Sequence, residues 1–223
     1  MKKKTLDRNK SQFLIDIVNN KITISDALFR LKILLNDLES DEINEWIDNE
    51  LNGYSSDSKI PGYRKYTGQI FGNIQQGYAL YNNINIPIKE EFKEIRTINL
   101  KENITAIEDF SNFDESKESQ LVYPIDINMI NAAASIQFDE FTQIYKANMY
   151  IPKSVFTKII NNVKSTIINI LLNLQKKYGY ENIDNLNLPI ESRNKEIEEI
   201  KKIIYIGDKV KIKNSIVGDK NVN

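Results

Sequence analysis

Apolar residues recur at helical spacing from the first turn onward. Phe13, Leu14, Ile17 and Val18 share one stripe. Leu28, Leu31, Leu34, Leu35 and Leu38 make a second, with Thr23 or Ser25 placed to cap it. Ile43, Trp46, Ile47 and Leu51 make a third. Ser40 stands at its start, and Asp41 and Glu42 fall in its first turn, where the helix dipole favours acids. Asn52-Gly53 stops it, because glycine enters a left-handed cap with no Cβ clash. The short links between these stripes predict an N-terminal three-helix unit.

The period changes at residue 63. Glycines 68, 72 and 77 punctuate Thr67–Ile70, Ile74 and Tyr78–Tyr81, and Ile84, Ile86 and Ile88 alternate after them, which predicts two or three short strands. A short helix at 90–95, a strand at 96–100 and a helix at 102–110 follow, then a polar loop over 109–119. Tyr123-Pro124 precedes a small-residue helix over 128–135, and residues 141–151 alternate as a long strand. Pro152 opens the longest element, where Phe156, Ile160, Val163, Ile167, Ile170 and Leu174 step by 4, 3, 4, 3 and 4. Ile159, Ile168 and Leu171 widen that seam into a core face, and Gly179 ends it.

Residues 182–189 read as a connector. The charged helix 190–204 carries only the narrow stripe Ile197, Ile200 and Ile204, which suits a coiled-coil partner or a docked arm. Ile206-Gly207-Asp208-Lys209 returns as Val217-Gly218-Asp219-Lys220, which reads as two short strands with Gly-Asp turns. The fold class is α+β: a three-helix unit, a small mainly antiparallel sheet, a long C-terminal helix, a helical arm and a short β tail. The divisions fall at 1–180, 181–204 and 205–223.

Composition narrows the chemistry. The 223 residues hold 30 basic and 31 acidic groups, so no global basic field marks the chain for nucleic acid or an anionic membrane. There is no cysteine and no histidine. Thiolate chemistry, imidazole bases and histidine-ligated metals are excluded, and neither a cofactor nor a metal is expected. No G-x-G-x-x-G or Walker lysine spacing accompanies the glycines. Met1-Lys2-Lys3-Lys4 is followed by Asp7 and Arg8 rather than an apolar run, and Ile167–Leu174 is too short to span a bilayer. A cytoplasmic protein with no membrane partner is expected.

What chemistry remains gathers at one turn. Glu45, Glu50, Asp57 and Arg64, with Tyr54 and Tyr63, are able in principle to hold a phosphate or a metal. The plainer reading makes Glu45, Asp48 and Glu50 the wet face of an amphipathic helix, with Arg64 paired to one of them. Tyr63-Arg64-Lys65-Tyr66 interleaves rings and cations, as single-strand binding surfaces do, or else is a strand edge. Asn52, Tyr54, Tyr63 and Arg64 are the candidate partner- or ligand-binding residues; no catalytic residue is assigned.

Glu45-Trp46-Ile47, Glu50-Leu51-Asn52-Gly53-Tyr54 and Pro61-Gly62-Tyr63-Arg64 resemble the signature of the AbiTii domain, a bacterial abortive-infection domain. The resemblance continues at Gly68–Gly72, Ile86-Pro87 and Ile151-Pro152-Lys153-Ser154, and covers residues 10–180; Val163-Lys164 stands where the family tends to have Val-Arg. It implies a cytosolic protein of a prokaryotic defence locus, in which infected cells stop growing or die before phage is released. It brings no catalytic residues with it.

The tail Asn214–Asn221 resembles amyloid-type motifs found at the ends of some defence proteins, without their usual Gln and with Lys209, Lys211, Lys213 and Lys220 opposing a stack. Ile197, Ile200, Ile204, Ile206, Ile212, Ile216, Val217, Gly218 and Asn221 are therefore the candidate oligomerisation residues. The expected role is a non-enzymatic scaffold or partner-binding module, meeting a protein of its own locus or further copies of itself. A toxic histidine-free metal-dependent nuclease and a nucleic-acid sensor are the alternatives.

Overall fold

A computed structural model describes residues 10–112, 121–135, 141–189, 193–208 and 212–213. The front helices α1 (Gln12–Val18), α2 (Ile24–Leu35) and α3 (Asp41–Asn52) fall where the apolar stripes place them. Ser11 and Thr23 cap the first two through their side-chain oxygens. Ser40 holds the N-cap position of α3 without such a bond, and Asp41 and Glu42 occupy the first turn. A 3-10 turn, Asn36–Leu38, joins α2 to α3.

Two sheets follow. β1 (Lys65–Thr67) pairs antiparallel with β4 (Thr97–Asn99). β2 (Ile70–Gln76), β3 (Ala79–Asn85), β5 (Leu121–Pro124) and β6 (Thr142–Ile151) form an antiparallel sheet in the order β3-β2-β6-β5. The predicted helix at 90–95 is a 3-10 segment, Glu90–Arg96, and α4 (Ile104–Ser111) and α5 (Ile127–Ala133) lie near their expected positions. β5 has no counterpart in the sequence reading. Its four residues are too short to display a period.

α6 (Lys153–Tyr178) is the axis of the molecule, about 39 Å long at ~1.5 Å per residue. Val155, Phe156, Ile159, Val163, Ile167, Ile170, Leu171 and Leu174 are buried along it. The heptad seam is satisfied within the chain, since α1, α2 and α4 all pack on this helix. The supposed connector contains a short helix, α7 (Tyr180–Asp184), whose Asp184 carboxylate accepts from the N–H groups of Gln12 and Phe13 and ties the two ends of the core together.

α8 (Arg193–Asp208) lies against α6 and α3 rather than standing apart. It runs four residues beyond Ile204, so Ile206-Gly207-Asp208 is helix and not a hairpin turn. Gly207 is there for close packing: a Cβ on it would stand 2.8 Å from Thr166 Oγ1 of α6. β7 (Ile212–Lys213) adds to β1 in parallel. Ile216, Val217, Gly218 and Asn221 lie outside the described residues. Among the described residues no helix is long and apolar enough to cross a membrane.

Candidate functional site

α3 turns Ile43, Trp46, Ile47 and Glu50 to the interior. Gly53 ends it at φ 91°, and a Cβ there would lie 2.9 Å from Lys101 O, so no other residue fits without moving backbone. The chain then leaves the helix with Tyr54 N–H donating to Lys101 O at 2.8 Å. Pro61 starts a 3-10 turn, Gly62–Arg64, that swings Tyr63 and Arg64 inward.

These elements converge on Glu50. Its Oε1 accepts from the Tyr54 hydroxyl at 2.5 Å, the Tyr63 hydroxyl at 2.7 Å and Arg64 Nε at 3.3 Å, and Arg64 Nη2 donates to Oε2. Both charged side chains are fully buried. Arg64 Nη1 donates to Glu102 O at 2.5 Å and the guanidinium lies 5.2 Å from the Tyr54 ring centroid. Trp46 Nε1 donates to the Tyr63 hydroxyl at 3.0 Å. The network clamps α3, the 61–64 turn and the 100–102 segment at one point.

Glu50 is thus not part of a wet helical face. Glu45 is exposed, and Asp48 pairs with Lys32 at 2.5 Å. The signal was present in the period. Position 50 is seven after Ile43 and four after Trp46, which puts a carboxylate on the apolar stripe and demands a buried cation. Arg64 meets that demand, so neither group faces a phosphate or a metal. Tyr63 and Tyr66 are also buried, leaving Lys65 as the exposed member of the ring-and-cation run.

The phenols feel this enclosure. Burial first, and the Glu50 carboxylate second, hold the Tyr54 and Tyr63 hydroxyls above their ordinary pKa. Burial alone would depress Arg64, but Glu50 reverses that and holds it above the usual guanidinium value. A tyrosine pKa raised in the folded state gives stability that is complete below the ordinary value of 10.0 and declines as pH rises past it. We expect phenolate absorbance from these two rings to appear only together with loss of helical circular dichroism in an alkaline titration. Ionisation of every tyrosine with the helices intact would contradict the burial.

Above the clamp lies a groove of about 320 Å³ between α3 and α8. Trp46, Tyr54 and Tyr63 reach it from below, while Glu45 and Asn49 of α3 and Ile204 and Tyr205 of α8 stand on its sides. Lys201 of α8 pairs with Glu42 of α3 across the rim. A shallower depression of about 480 Å³ holds Asn52, Gly53 and the 101–103 segment, with Tyr54 shared between the two. The candidate residues therefore separate: Arg64 belongs to the buried clamp, Tyr54 and Tyr63 link clamp to groove, and Asn52 is exposed in the neighbouring depression. Lys201 and Tyr205 were beyond the reach of sequence reasoning, since only the fold brings α8 to α3.

α8 is held by charge as well as by apolar contact. Lys177 donates to Glu196 at 2.7 Å and also to Glu199, and Arg193 pairs with Glu39 at 2.6 Å. Ile200 is buried, and Ile197 and Ile204 are partly buried on the same core. Ile206 is 68% exposed.

A family model described as AbiTii matches residues 11–202. No curated protein and no solved structure matches the chain.

Proposed function

The chain belongs to the AbiTii family, and from that premise we propose that it is a non-enzymatic, cytoplasmic component of an abortive-infection system that binds a protein of its own locus. Family membership suggests the abortive-infection role. What supports binding over catalysis is the fate of Glu50 and Arg64: two of the candidate groups on which a histidine-free nuclease would draw are fully buried against each other. The surface that suits a partner is the α3–α8 groove with the end of α8, where Tyr205 and Ile206 are 53% and 68% exposed. An aromatic-walled groove next to an exposed apolar helix end fits a protein contact, where rings and aliphatic anchors carry most of the affinity.

Phage plating on cells carrying the complete locus tests this. Ile206→Lys should lower protection on the order of tenfold, the change expected from losing a contact worth about 1.4 kcal/mol. Co-purification with a product of a neighbouring gene should weaken in parallel, with the melting curve unaltered. Full protection and full co-purification from this variant would remove the end of α8 from the function.

A further inference from the structure

The four-stranded sheet has two unlike edges. β5 is four residues long and ends on Pro124, which has no N–H to offer. β3 is seven residues long, Ala-Leu-Tyr-Asn-Asn-Ile-Asn, with β2 on one side and, among the described residues, no strand on the other. Every one of its residues is exposed. Leu80, Tyr81 and Ile84 are 61%, 47% and 40% exposed, and Phe141, whose carbonyl accepts from Gly77 N–H at the hairpin turn, is 65% exposed beside them.

Edge strands are ordinarily guarded by lysine, proline or an inward charge, because their open N–H and C=O groups template further pairing. β3 has none of these, and no charged residue occurs anywhere from Tyr66 to Ile88. Its one irregularity is Asn83, at φ 55°. That bulge is braced from within. Asn83 N–H donates to Asn73 Oδ1 at 2.9 Å, and the Tyr150 and Tyr145 hydroxyls donate to Asn83 Oδ1 and Asn82 Oδ1. The strand is held against its sheet with its outer side open.

We propose that β3 pairs antiparallel with β3 of a second copy of this chain, joining two four-stranded sheets into one of eight strands. A row of open main-chain groups selects an extended polypeptide as its occupant. The uncharged stretch selects its own kind, because it meets itself without like-charge repulsion. The extra residue of the bulge puts Tyr81 and Ile84, the partners of Ile74 and Gly72, on one face of the sheet, so a two-fold axis between Asn82 and Asn83 sets Tyr81 of one copy beside Ile84 of the other, twice, which covers apolar side chains the monomer leaves wet. This contact is separate from the groove and the end of α8, so it leaves them open to a different protein.

Sedimentation of the full chain over a concentration series is the test, with hydrogen exchange as its local readout. Mass should double as concentration rises, and amides of 80–85 should slow in the dimer. Tyr81→Lys, at an exposed position, should stay monomeric with an unchanged melting curve, while Ile206→Lys should dimerise as wild type does. A wild-type chain that stays monomeric throughout overturns the proposal. So does a dimer that survives Tyr81→Lys, or one abolished only by Ile206→Lys.

Discussion

Arg64→Ala is expected to lower the melting temperature by about 6–20 °C, the shift that about 3–5 kcal/mol produces in a domain of this size. The substitution leaves the Glu50 carboxylate fully buried with two phenol donors and no cation. It also frees the carbonyls of Leu100 and Glu102 from the guanidinium. The comparison that isolates the cause is Lys32→Ala, which breaks the Lys32–Asp48 pair at the surface, where both side chains are 42% exposed. An exposed pair contributes about 0–1 kcal/mol, so that variant should melt close to wild type. Far-ultraviolet circular dichroism on the three proteins decides the matter. Equal melting of all three would mean that water reaches the Glu50–Arg64 pair.

Loss of antiviral activity in an Arg64 or Glu50 variant therefore does not by itself identify a catalytic group. Such a variant is destabilised whether or not either group takes part in any chemistry. On the proposed function, the residues expected to bear on binding without bearing on folding are exposed ones at the groove rim and the end of α8, such as Glu45 and Ile206. Substitution there separates recognition from stability in a way that substitution in the clamp does not.

Elements with a long, regular period were legible in the chain. α2, α3, β6 and α6 each carry enough apolar repeats to declare their type, and Pro152 and Gly179 mark the ends of α6. β5 and α7 were not legible, because four or five residues hold too few repeats to separate strand from helix. Gly207 misled for another reason. A glycine that opens a turn and one that admits a neighbouring helix look the same in one dimension, and only the approach of Thr166 distinguishes them. The three residues Tyr54, Tyr63 and Arg64 were found, but as a binding surface. Their burial follows from the Glu50 network, from the 100–102 segment that accepts from Arg64, and from α6 and α8 packing on the 62–64 turn, contacts that no local period displays.

Trp46 sits where clamp and groove meet, which makes Trp46→Ala the second large effect. The indole is 7% exposed, packs in the core and donates its N–H to the Tyr63 hydroxyl. Removing a ring of that size from a buried position costs roughly 3–5 kcal/mol, through lost apolar transfer and the cavity left behind. Trp46→Phe keeps an aromatic ring and loses the N–H, so it should fall between alanine and wild type. Tyr63 would still donate to Glu50 in that variant, and the missing donor itself accounts for about 1 kcal/mol. Urea unfolding followed by circular dichroism orders the three, and the chain's single Trp gives the wild type a fluorescence signal from the clamp itself. Wild-type stability in Trp46→Ala would turn the indole into a surface contact and leave α3 without its anchor to the 61–64 turn. The expected order instead makes the groove and the core one object: the ring that packs in the core is the same ring that lines the groove.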